Sequence, residues 1–395
     1  MKHLKRIITL VLCLAVISTS PDSTRTAMLN GTQKENTGSK TAINTVPFAQ
    51  AKTTGTLQEE QIDKARTLME EMTWKEKVAQ MILVSAPANA ASVQKNFQFG
   101  GYVFFADDFA KATKASFRQR IKSIQKASGI PALIAVDEEG GTVTRVSRYK
   151  QFRSHPYSSP RTVYSAGRWD GIIKDTKSKA KFLKNLGINT NLAPVADVAY
   201  KKQDFIYQRS FSTDAGLTAK YIEKVVNTMG SKNLASTLKH FPGYGNNGDT
   251  HIQLIHDYRS KKSFKKRDLK PFQSGIDAGC DMVMVSHNIV HCFDSKNPAS
   301  ISPEVVSYLR EDMGFEGVIV TDSLTMNGLI KHTGSVGKSA VRAVLAGNDL
   351  LCTSEYNKTY RALVKAVQNK KISKKRLNES VERILLMKCK RGIIQ

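Results

Sequence analysis

The chain has 395 residues, of which 41% are hydrophobic and 24% are charged. This balance is that of a folded globular protein, so it excludes a chain that is disordered throughout and a miniprotein stapled by disulfides. Lys and Arg number 60 against 34 Asp and Glu, and the formal net charge of +26 predicts attraction to polyanions without saying which one.

The amino terminus has the pattern of a secretory signal. Cationic side chains within the first six residues precede a mainly apolar run from residue 7 to residue 17. That run is too short for a stable transmembrane anchor. We therefore predict a signal peptide over residues 1–20 and a protein that is secreted or associated with the cell wall or cell surface. Cys13 leaves lipid attachment open as an alternative, although Leu12 is large for the position before a lipidated cysteine.

A polar segment separates the signal from the ordered part of the chain. Residues 21–55 are rich in Thr, Ser, Asn, Lys and Gly and show no apolar period, which predicts a flexible linker. From residue 56 onward, apolar residues recur at helical intervals, and Thr73 with Glu76 has the spacing of a capping box. We predict one domain over residues 56–395.

Short apolar runs then alternate with charged helical stretches. The runs are 81–84, 102–105, 132–136, 191–195, 235–238, 282–285, 318–320 and 350–352. The intervening helical stretches include 111–127, 214–232 and 303–313, and a last amphipathic helix is predicted over 376–394. Continuous apolar strands separated by amphipathic helices are typical of a parallel sheet covered on both faces. Eight runs predict an α/β fold with a single (β/α)₈ barrel of the TIM type and no second domain, with an open doubly wound sheet as the alternative.

Polar residues closely follow the last apolar residue of five of the predicted strands. These residues are Asp137, Asp197, Lys239, His240, His287 and Asp322. A single aspartate there is explained equally well as the cap of the next helix. Five strands ending in Asp, His or Lys instead favour a shared site at the carboxyl end of the barrel, where parallel barrels bind their ligands. Such a site suits a substrate rich in hydroxyl groups.

A glycine- and asparagine-rich segment, residues 243–248, leads into Asp249 and His251. A carboxylate two residues before an imidazole can orient the ring and fix its tautomer for proton transfer near neutral pH. The alternative is a turn in which Asp249 bonds only to its own backbone.

Five of the eight histidines fall between His240 and His291, which raises the alternative of a metal-dependent hydrolase. Paired ligands four residues apart on a helix are absent, so we predict no metal and no cofactor. The cysteines beyond the signal are scattered and predict buried free thiols. No motif for reading nucleic acid is present, and for an exported protein an anionic cell-wall surface is the favoured partner of the basic charge.

Several motifs together resemble glycoside hydrolase family 3, and within it the β-N-acetylglucosaminidases of the NagZ type. The similarity extends over roughly residues 57–394. The motifs are 137–141 with Arg145, 193–197, 208–211, 239–243, 249–251 and 314–322, and they occur in the family's order, each at the expected strand end.

The resemblance implies a retaining, two-step hydrolysis. Asp322 would be the nucleophile that forms a covalent glycosyl-enzyme, and His251 would be the acid/base with Asp249 as its partner. The residues implied in substrate binding are Asp137, Arg145, Arg209, Lys239 and His240. The substrate would be a GlcNAc-containing oligosaccharide, either a peptidoglycan fragment or a chitin-type chain, cut at its non-reducing end by an exported β-N-acetylhexosaminidase.

One residue departs from the family pattern, because Tyr244 stands where the family usually has histidine. A tyrosine can donate a hydrogen bond or stack on a sugar, but it cannot exchange a proton in the same pH range. Two other functions stay open: a β-N-acetylglucosaminide phosphorylase that uses the same residues, and a wall-binding barrel without catalysis.

Overall fold

The computed structural model of the protein describes residues 55–250 and 253–395. The predicted signal peptide and linker lie outside the described residues, apart from Gly55, at which the first helix begins. His251 also lies outside them. Of the helices that are described, none is long and apolar enough to cross a membrane.

Eight parallel strands form the central sheet. They are β1 (Ile82–Ser85), β2 (Gly101–Phe104), β3 (Leu133–Val136), β4 (Thr190–Asn191), β5 (Ala235–Phe241), β6 (Met282–Val285), β7 (Val318–Thr321) and β8 (Leu351–Thr353). Strand β1 pairs with both β2 and β8, and a bridge between Val320 and Leu350 joins β7 to β8. The sheet therefore curls into a nearly closed barrel, which confirms the predicted TIM-type fold and excludes the open doubly wound sheet.

The helices surround this sheet. They are α1 (Gly55–Glu71), α2 (Trp74–Gln80), α3 (Ala90–Phe97), α4 (Ala106–Ala110), α5 (Lys114–Lys126), α6 (Pro160–Lys184), α7 (Ala215–Gly230), α8 (Lys261–Lys266), α9 (Leu269–Asp277), α10 (Pro303–Ser307), α11 (Asn327–Thr333), α12 (Val336–Ala346), α13 (Tyr356–Gln368) and α14 (Lys374–Lys390). Thr73 and Glu76 form the predicted capping box at the start of α2. Helix α6 is kinked at Arg168, which has a positive φ of 48°.

Two further pairs of short strands lie outside the barrel sheet. Residues Glu138–Gly140 pair antiparallel with Val143–Thr144 directly after β3. Residues His256–Asp257 pair parallel with Ile289–Val290, which follows β6. Both pairs belong to segments that leave the carboxyl ends of barrel strands, so they build up the face on which a barrel carries its ligand site.

The interior of the barrel is apolar over most of its depth. The strand residues are almost all buried, and the four described cysteines are free thiols, three of them buried and Cys292 half-buried. Lys239 and His240 lie just before Phe241, the last residue of β5, at the carboxyl end of the barrel. These titratable side chains at the strand end place the candidate site.

Candidate active site

The centre of the site is a buried lysine between two carboxylates. Lys239 Nζ donates to Asp137 Oδ1 at 2.6 Å and lies 2.6 Å from Glu139 Oε1. Asp137 follows β3 directly, and Glu139 lies in the short antiparallel pair behind it. Arg145 Nε is 3.9 Å from the other oxygen of Asp137. An ammonium has three N–H donors, so two ion pairs leave Lys239 with the capacity to bond a further group at the mouth of the barrel.

Glu139 continues this network toward β5. Arg209 donates to both oxygens of Glu139, at 2.7 Å from Nη2 and 3.0 Å from Nε. The same Nη2 lies 3.2 Å from His240 Nε2, and His240 Nδ1 lies 2.7 Å from Asp197 Oδ2. Because an arginine side chain only donates hydrogen bonds, Nε2 of His240 accepts the one from Arg209. The proton of the neutral ring is therefore on Nδ1, which donates to Asp197.

Charge pairing within the network is strong enough to overcome burial. Burial alone would raise the pKa of Glu139, but the charges of Lys239 and Arg209 outweigh it and lower that pKa well below its usual range. Burial lowers the pKa of Arg209, and the charge of Glu139 more than reverses this and raises it. The three side chains therefore form a fixed set of charges that is ready to orient the hydroxyl groups of a ligand.

Lys239 and His240 are consecutive residues, yet both join the network. Successive side chains of a regular strand point to opposite faces. The pairing between β5 and β6 shifts in register between Lys239 and Phe241, and such an irregularity redirects a side chain. The end of β5 can therefore present both residues to one site.

Asp322 lies on the opposite side of the mouth, directly after β7. Its backbone N–H donates to the carbonyl of Val285 at 3.0 Å, and its Oδ1 accepts from the N–H of Ser323 at 2.7 Å. Burial is the main cause of the raised pKa of the Cys352 thiol, which lies inside the barrel on β8. The negative charges of Asp322 and Asp137 raise that pKa further. The two carboxylates thus face the same interior from different strands.

The segment that follows Asp322 is tied to β6 through His287. Its Nδ1 lies 2.7 Å from Ser300 Oγ, and its Nε2 lies 2.9 Å from the carbonyl oxygen of Ser323. A carbonyl only accepts, so Nε2 carries the proton. His287 therefore supports the position of the residue next to Asp322.

The glycine-rich loop, residues 243–250, is anchored at its base by Arg259. The guanidinium donates to the carbonyl of Gly243 at 2.7 Å and forms ion pairs with Asp257 and Asp268. A Cβ added to Gly245 would lie 1.9 Å from Arg259 Nη1, and φ at this glycine is +56°, so no other residue fits there without strain. The base of the loop is fixed, and Asp249 is half-buried at its far end.

Tyr244, the departure from the family pattern, is buried within this loop. Its backbone N–H donates to Asp197 Oδ1 at 2.7 Å, and its hydroxyl bonds to Thr250 Oγ1. Burial and the charge of Asp322 raise the pKa of its hydroxyl, so Tyr244 is a neutral hydrogen-bonding group. The tyrosine therefore links Asp197, beneath His240, to Thr250, which stands between Asp249 and His251 in the sequence.

All five residues predicted to bind substrate belong to one connected network at the carboxyl end of the barrel. Glu139, which joins Lys239 to Arg209, was not predicted as a site residue; its only signal in the sequence is its place within the acidic motif after β3. In the described part of the chain, no group of three or more His, Cys, Asp or Glu side chains has an arrangement that could hold a metal ion.

Comparison with known proteins agrees with this architecture. Residues 73–387 match the model of the glycosyl hydrolase family 3 N-terminal domain, which is most of the chain. The chain belongs to glycosyl hydrolase family 3. It is therefore a glycosidase that acts on a carbohydrate substrate.

Relatives within family 3 narrow the activity. A β-hexosaminidase of Stenotrophomonas maltophilia (strain K279a) is 32% identical over 265 residues, which cover 65% of this chain and 76% of that protein. A β-hexosaminidase of Xanthomonas campestris pv. campestris (strain B100) is 30% identical over 271 residues, covering 65% of this chain and 80% of that protein. These matches support β-hexosaminidase activity for this family 3 member.

A solved family 3 structure agrees as well. The β-N-acetylglucosaminidase from Paenibacillus sp. str. FPU-7 superposes with a TM-score of 0.76 at 30% identity, covering 82% of this chain and 64% of that chain. The barrel and the order of its strands are therefore those of this family.

Proposed function

We propose that this protein is an exported, retaining β-N-acetylhexosaminidase that removes GlcNAc from the non-reducing end of peptidoglycan fragments or chitin-type oligosaccharides. The observation that carries the proposal is the network of Asp137, Lys239, Glu139, Arg209 and His240 at the mouth of the barrel, with Asp322 across from it. A cluster of charged donors and acceptors at the same barrel mouth as a further carboxylate suits a sugar that is held by its hydroxyls while its anomeric carbon is attacked.

In the proposed mechanism, Asp322 attacks the anomeric carbon and forms a glycosyl-enzyme as the leaving oxygen departs. His251 protonates that oxygen and later deprotonates the water that hydrolyses the intermediate, with Asp249 orienting its ring. The support for the dyad is the spacing of the two residues together with the anchored base of the loop that carries them. Asp137 accepts hydrogen bonds from sugar hydroxyls, while Arg145, Arg209 and Lys239 donate to the hydroxyls and to the N-acetyl group. His240, whose Nδ1–H faces Asp197, contributes to binding by accepting from Arg209 and holding it in place.

The decisive experiment measures release of nitrophenol from the β-N-acetylglucosaminide and from the β-glucoside, with and without phosphate. We expect hydrolysis of the acetylated sugar, no stimulation by phosphate, and loss of nearly all turnover in Asp322→Asn. Formation of a sugar phosphate would instead establish a phosphorylase. Binding to wall material with no release of sugar from any substrate would establish a wall-binding barrel.

The acid/base is tested with substrates of different leaving groups. His251→Ala should lower kcat by about 10²–10⁴-fold on natural oligosaccharides, because their leaving oxygen needs a proton, and less on activated aryl glycosides. Full activity of this variant on oligosaccharides would refute the dyad.

The proposed location is outside the cell, secreted or held at the anionic cell wall. It rests on the apolar run near the amino terminus and on the net charge of +26. Fractionation of cells that express the full chain tests the location. Release of the mature protein from isolated walls by salt tests the electrostatic contact, because screening weakens attraction between exposed charges. Retention that salt does not alter would argue against the wall as an electrostatic partner.

A further inference from the structure

Large apolar side chains are exposed at few positions in the described part of the chain. They are Phe105, Phe205, Tyr258 and Leu345, exposed by 38%, 38%, 75% and 44%. The three aromatic residues all follow the carboxyl ends of barrel strands, namely β2, β4 and β5. Leu345 lies near the end of α12, just before β8, and so belongs to the opposite end of the barrel. Exposed aromatic surface is therefore gathered at the face of the candidate active site.

Tyr258 is the most exposed of these residues, and it is part of an ordered stack of rings. Its ring stacks on that of His291 with centroids 4.2 Å apart and an angle of 28° between the planes. His291 Nε2 lies 2.9 Å from His256 Nδ1, so one of these nitrogens donates to the other. We call Tyr258, His291 and His256 the rim stack. Because His291 supports one face of Tyr258, the exposure of the tyrosine lies mainly on its other face.

The rim stack adjoins the glycine-rich loop. Tyr258 lies between Asp257 and Arg259, and these two residues turn toward the loop. Asp257 accepts from Asn247 at 2.6 Å, and Arg259 donates to Gly243. Side chains alternate along an extended segment, so Tyr258 projects away from the loop and into solvent.

The segment that leads to the rim stack also contacts the part of the chain that follows Asp322. A Cβ added to Gly328, in α11, would lie 2.9 Å from the backbone nitrogen of Leu254. The charge of His256 influences His332 of the same helix, contributing with burial and Arg342 to a lowered pKa. The rim stack therefore lies between the loop of the proposed acid/base and the segment after the proposed nucleophile.

We propose that the rim stack is a binding site for the leaving-group sugars of an oligosaccharide substrate, outside the pocket for the terminal GlcNAc. This inference rests on the proposed hexosaminidase function. A β-linked GlcNAc unit has equatorial substituents and apolar C–H faces, which suit the open face of Tyr258. The tyrosine hydroxyl and the imidazole nitrogens at the ring edges can bond to sugar hydroxyls. A preformed stack loses little conformational freedom when it binds, so it favours longer chains.

The test compares Tyr258→Ala with the wild-type full chain on chitobiose, chitotriose and chitotetraose. We expect kcat/KM of the variant to fall roughly 3- to 10-fold, mainly through KM and most on the longer chains, which is the range for loss of one aromatic contact. Tyr258→Phe keeps the ring and should retain most of the activity. Inhibition by free N-acetylglucosamine, which fills only the terminal sugar pocket, should be unchanged.

Leu345→Ala is the matched control, because it removes an exposed apolar side chain at the other end of the barrel and should alter none of these values. An equal kcat/KM for wild type and Tyr258→Ala at every chain length would overturn the proposal. A loss confined to substrates that carry a stem peptide would also overturn it, in favour of peptide binding. If the wild type itself hydrolysed no GlcNAc glycoside, the proposed function would fail, and that outcome is distinct from both of these.

Discussion

Two buried lysines stand at opposite ends of the barrel, and their surroundings differ. Lys239, at the carboxyl end of β5, is 2.6 Å from each of two carboxylates. Lys388, in α14, bonds at 2.9 Å to the side-chain amide oxygen of Gln80, which lies just before β1. Burial lowers the pKa of Lys388 to about 7. Among the described residues, the cost of burying the ammonium is thus offset by ion pairs for Lys239 and by a hydrogen bond to an amide for Lys388.

The difference shows where this fold uses charge. Removing an ammonium from water is costly, and ion pairs with additional hydrogen bonds are the usual compensation. At the carboxyl end, Glu139 and Asp137 provide this compensation and leave the cluster facing the mouth of the barrel. At the amino end, the buried lysine fills space between α14 and β1 and can lose its proton near neutral pH. Only the first arrangement is suited to binding a polar ligand.

Removal of Lys239, the lysine that is paired with two carboxylates, should have the largest effect on stability and activity. Lys239→Met leaves Asp137 and Glu139 close together without a cation between them, so the free energy of unfolding should fall by about 3–5 kcal/mol at pH 7.5. Hydrolysis of the nitrophenyl N-acetylglucosaminide should be lost as well. Urea unfolding and initial rates measure the two effects.

Lys388→Met, at the other end, is the control for that variant and should retain kcat and KM. If Lys239→Met were as stable as the wild type, the ion pairs of Lys239 with Asp137 and Glu139 would not be needed to stabilise the buried site.

The fold was predictable from the sequence because its signal is local. Eight apolar runs marked the eight strands, but β4 was predicted over 191–195 and pairs only at Thr190–Asn191. Pro194 lacks an N–H for the ladder, and Val195 keeps just an isolated bridge to Lys239. Strand β5 was predicted to end at residue 238 and continues to Phe241, since polar residues inside a barrel mouth resemble a loop when only the sequence is known.

The sequence allowed candidate site residues to be predicted one by one, but not their connection into a network. Asp137 and Lys239 were predicted from their places at strand ends, and Arg209 from the family motif at residues 208–211. Their connection through Glu139 depends on the short antiparallel pair after β3 and on the register shift in β5. Both are three-dimensional features that no spacing along the chain encodes.

The two lysines also differ in how they make stability depend on pH. The folded-state pKa of Lys388, about 7, lies below the ordinary lysine value of 10.5. Between these values the unfolded chain binds more protons than the folded one, so this lysine makes wild-type stability rise by about 1.4 kcal/mol per pH unit. Lys388→Met removes this pH-dependent contribution to the free energy of unfolding. The stability of the variant relative to the wild type should be greatest below pH 7 and should decline as the pH rises toward 10.

Urea unfolding at pH 6, 7, 8 and 9 measures this decline. Lys358→Met is the matched control, since Lys358 is exposed and its ion pair with Glu355 lies on the surface. Its difference from the wild type should not follow the same trend. A difference between Lys388→Met and the wild type that stayed constant with pH would show that Lys388 keeps its proton in the folded state.

Among these variants, we expect the smallest loss of activity from a change at Tyr244, at the carboxyl end of the barrel. Tyr244→Phe removes the hydroxyl that bonds to Thr250 but leaves the buried ring and the backbone contact with Asp197. One hydrogen bond is worth about 0.5–1.5 kcal/mol, so we expect kcat to fall roughly 2- to 10-fold. If the bond positions Asp249 and His251 for proton transfer, the loss of kcat should be larger on oligosaccharides than on activated aryl glycosides.

The double variant Tyr244→Phe with Thr250→Val separates positioning from general destabilisation. If the two side chains act only through their mutual bond, the second substitution adds no further loss. Tyr102→Phe is the matched control, because it removes a buried hydroxyl that bonds to Gln94 on α3, away from the loop. Equal losses on all leaving groups in Tyr244→Phe would mean that the hydroxyl stabilises the barrel and does not act on proton transfer. A loss that follows the leaving group would mean that tyrosine takes part in catalysis by fixing the loop, although it exchanges no proton itself.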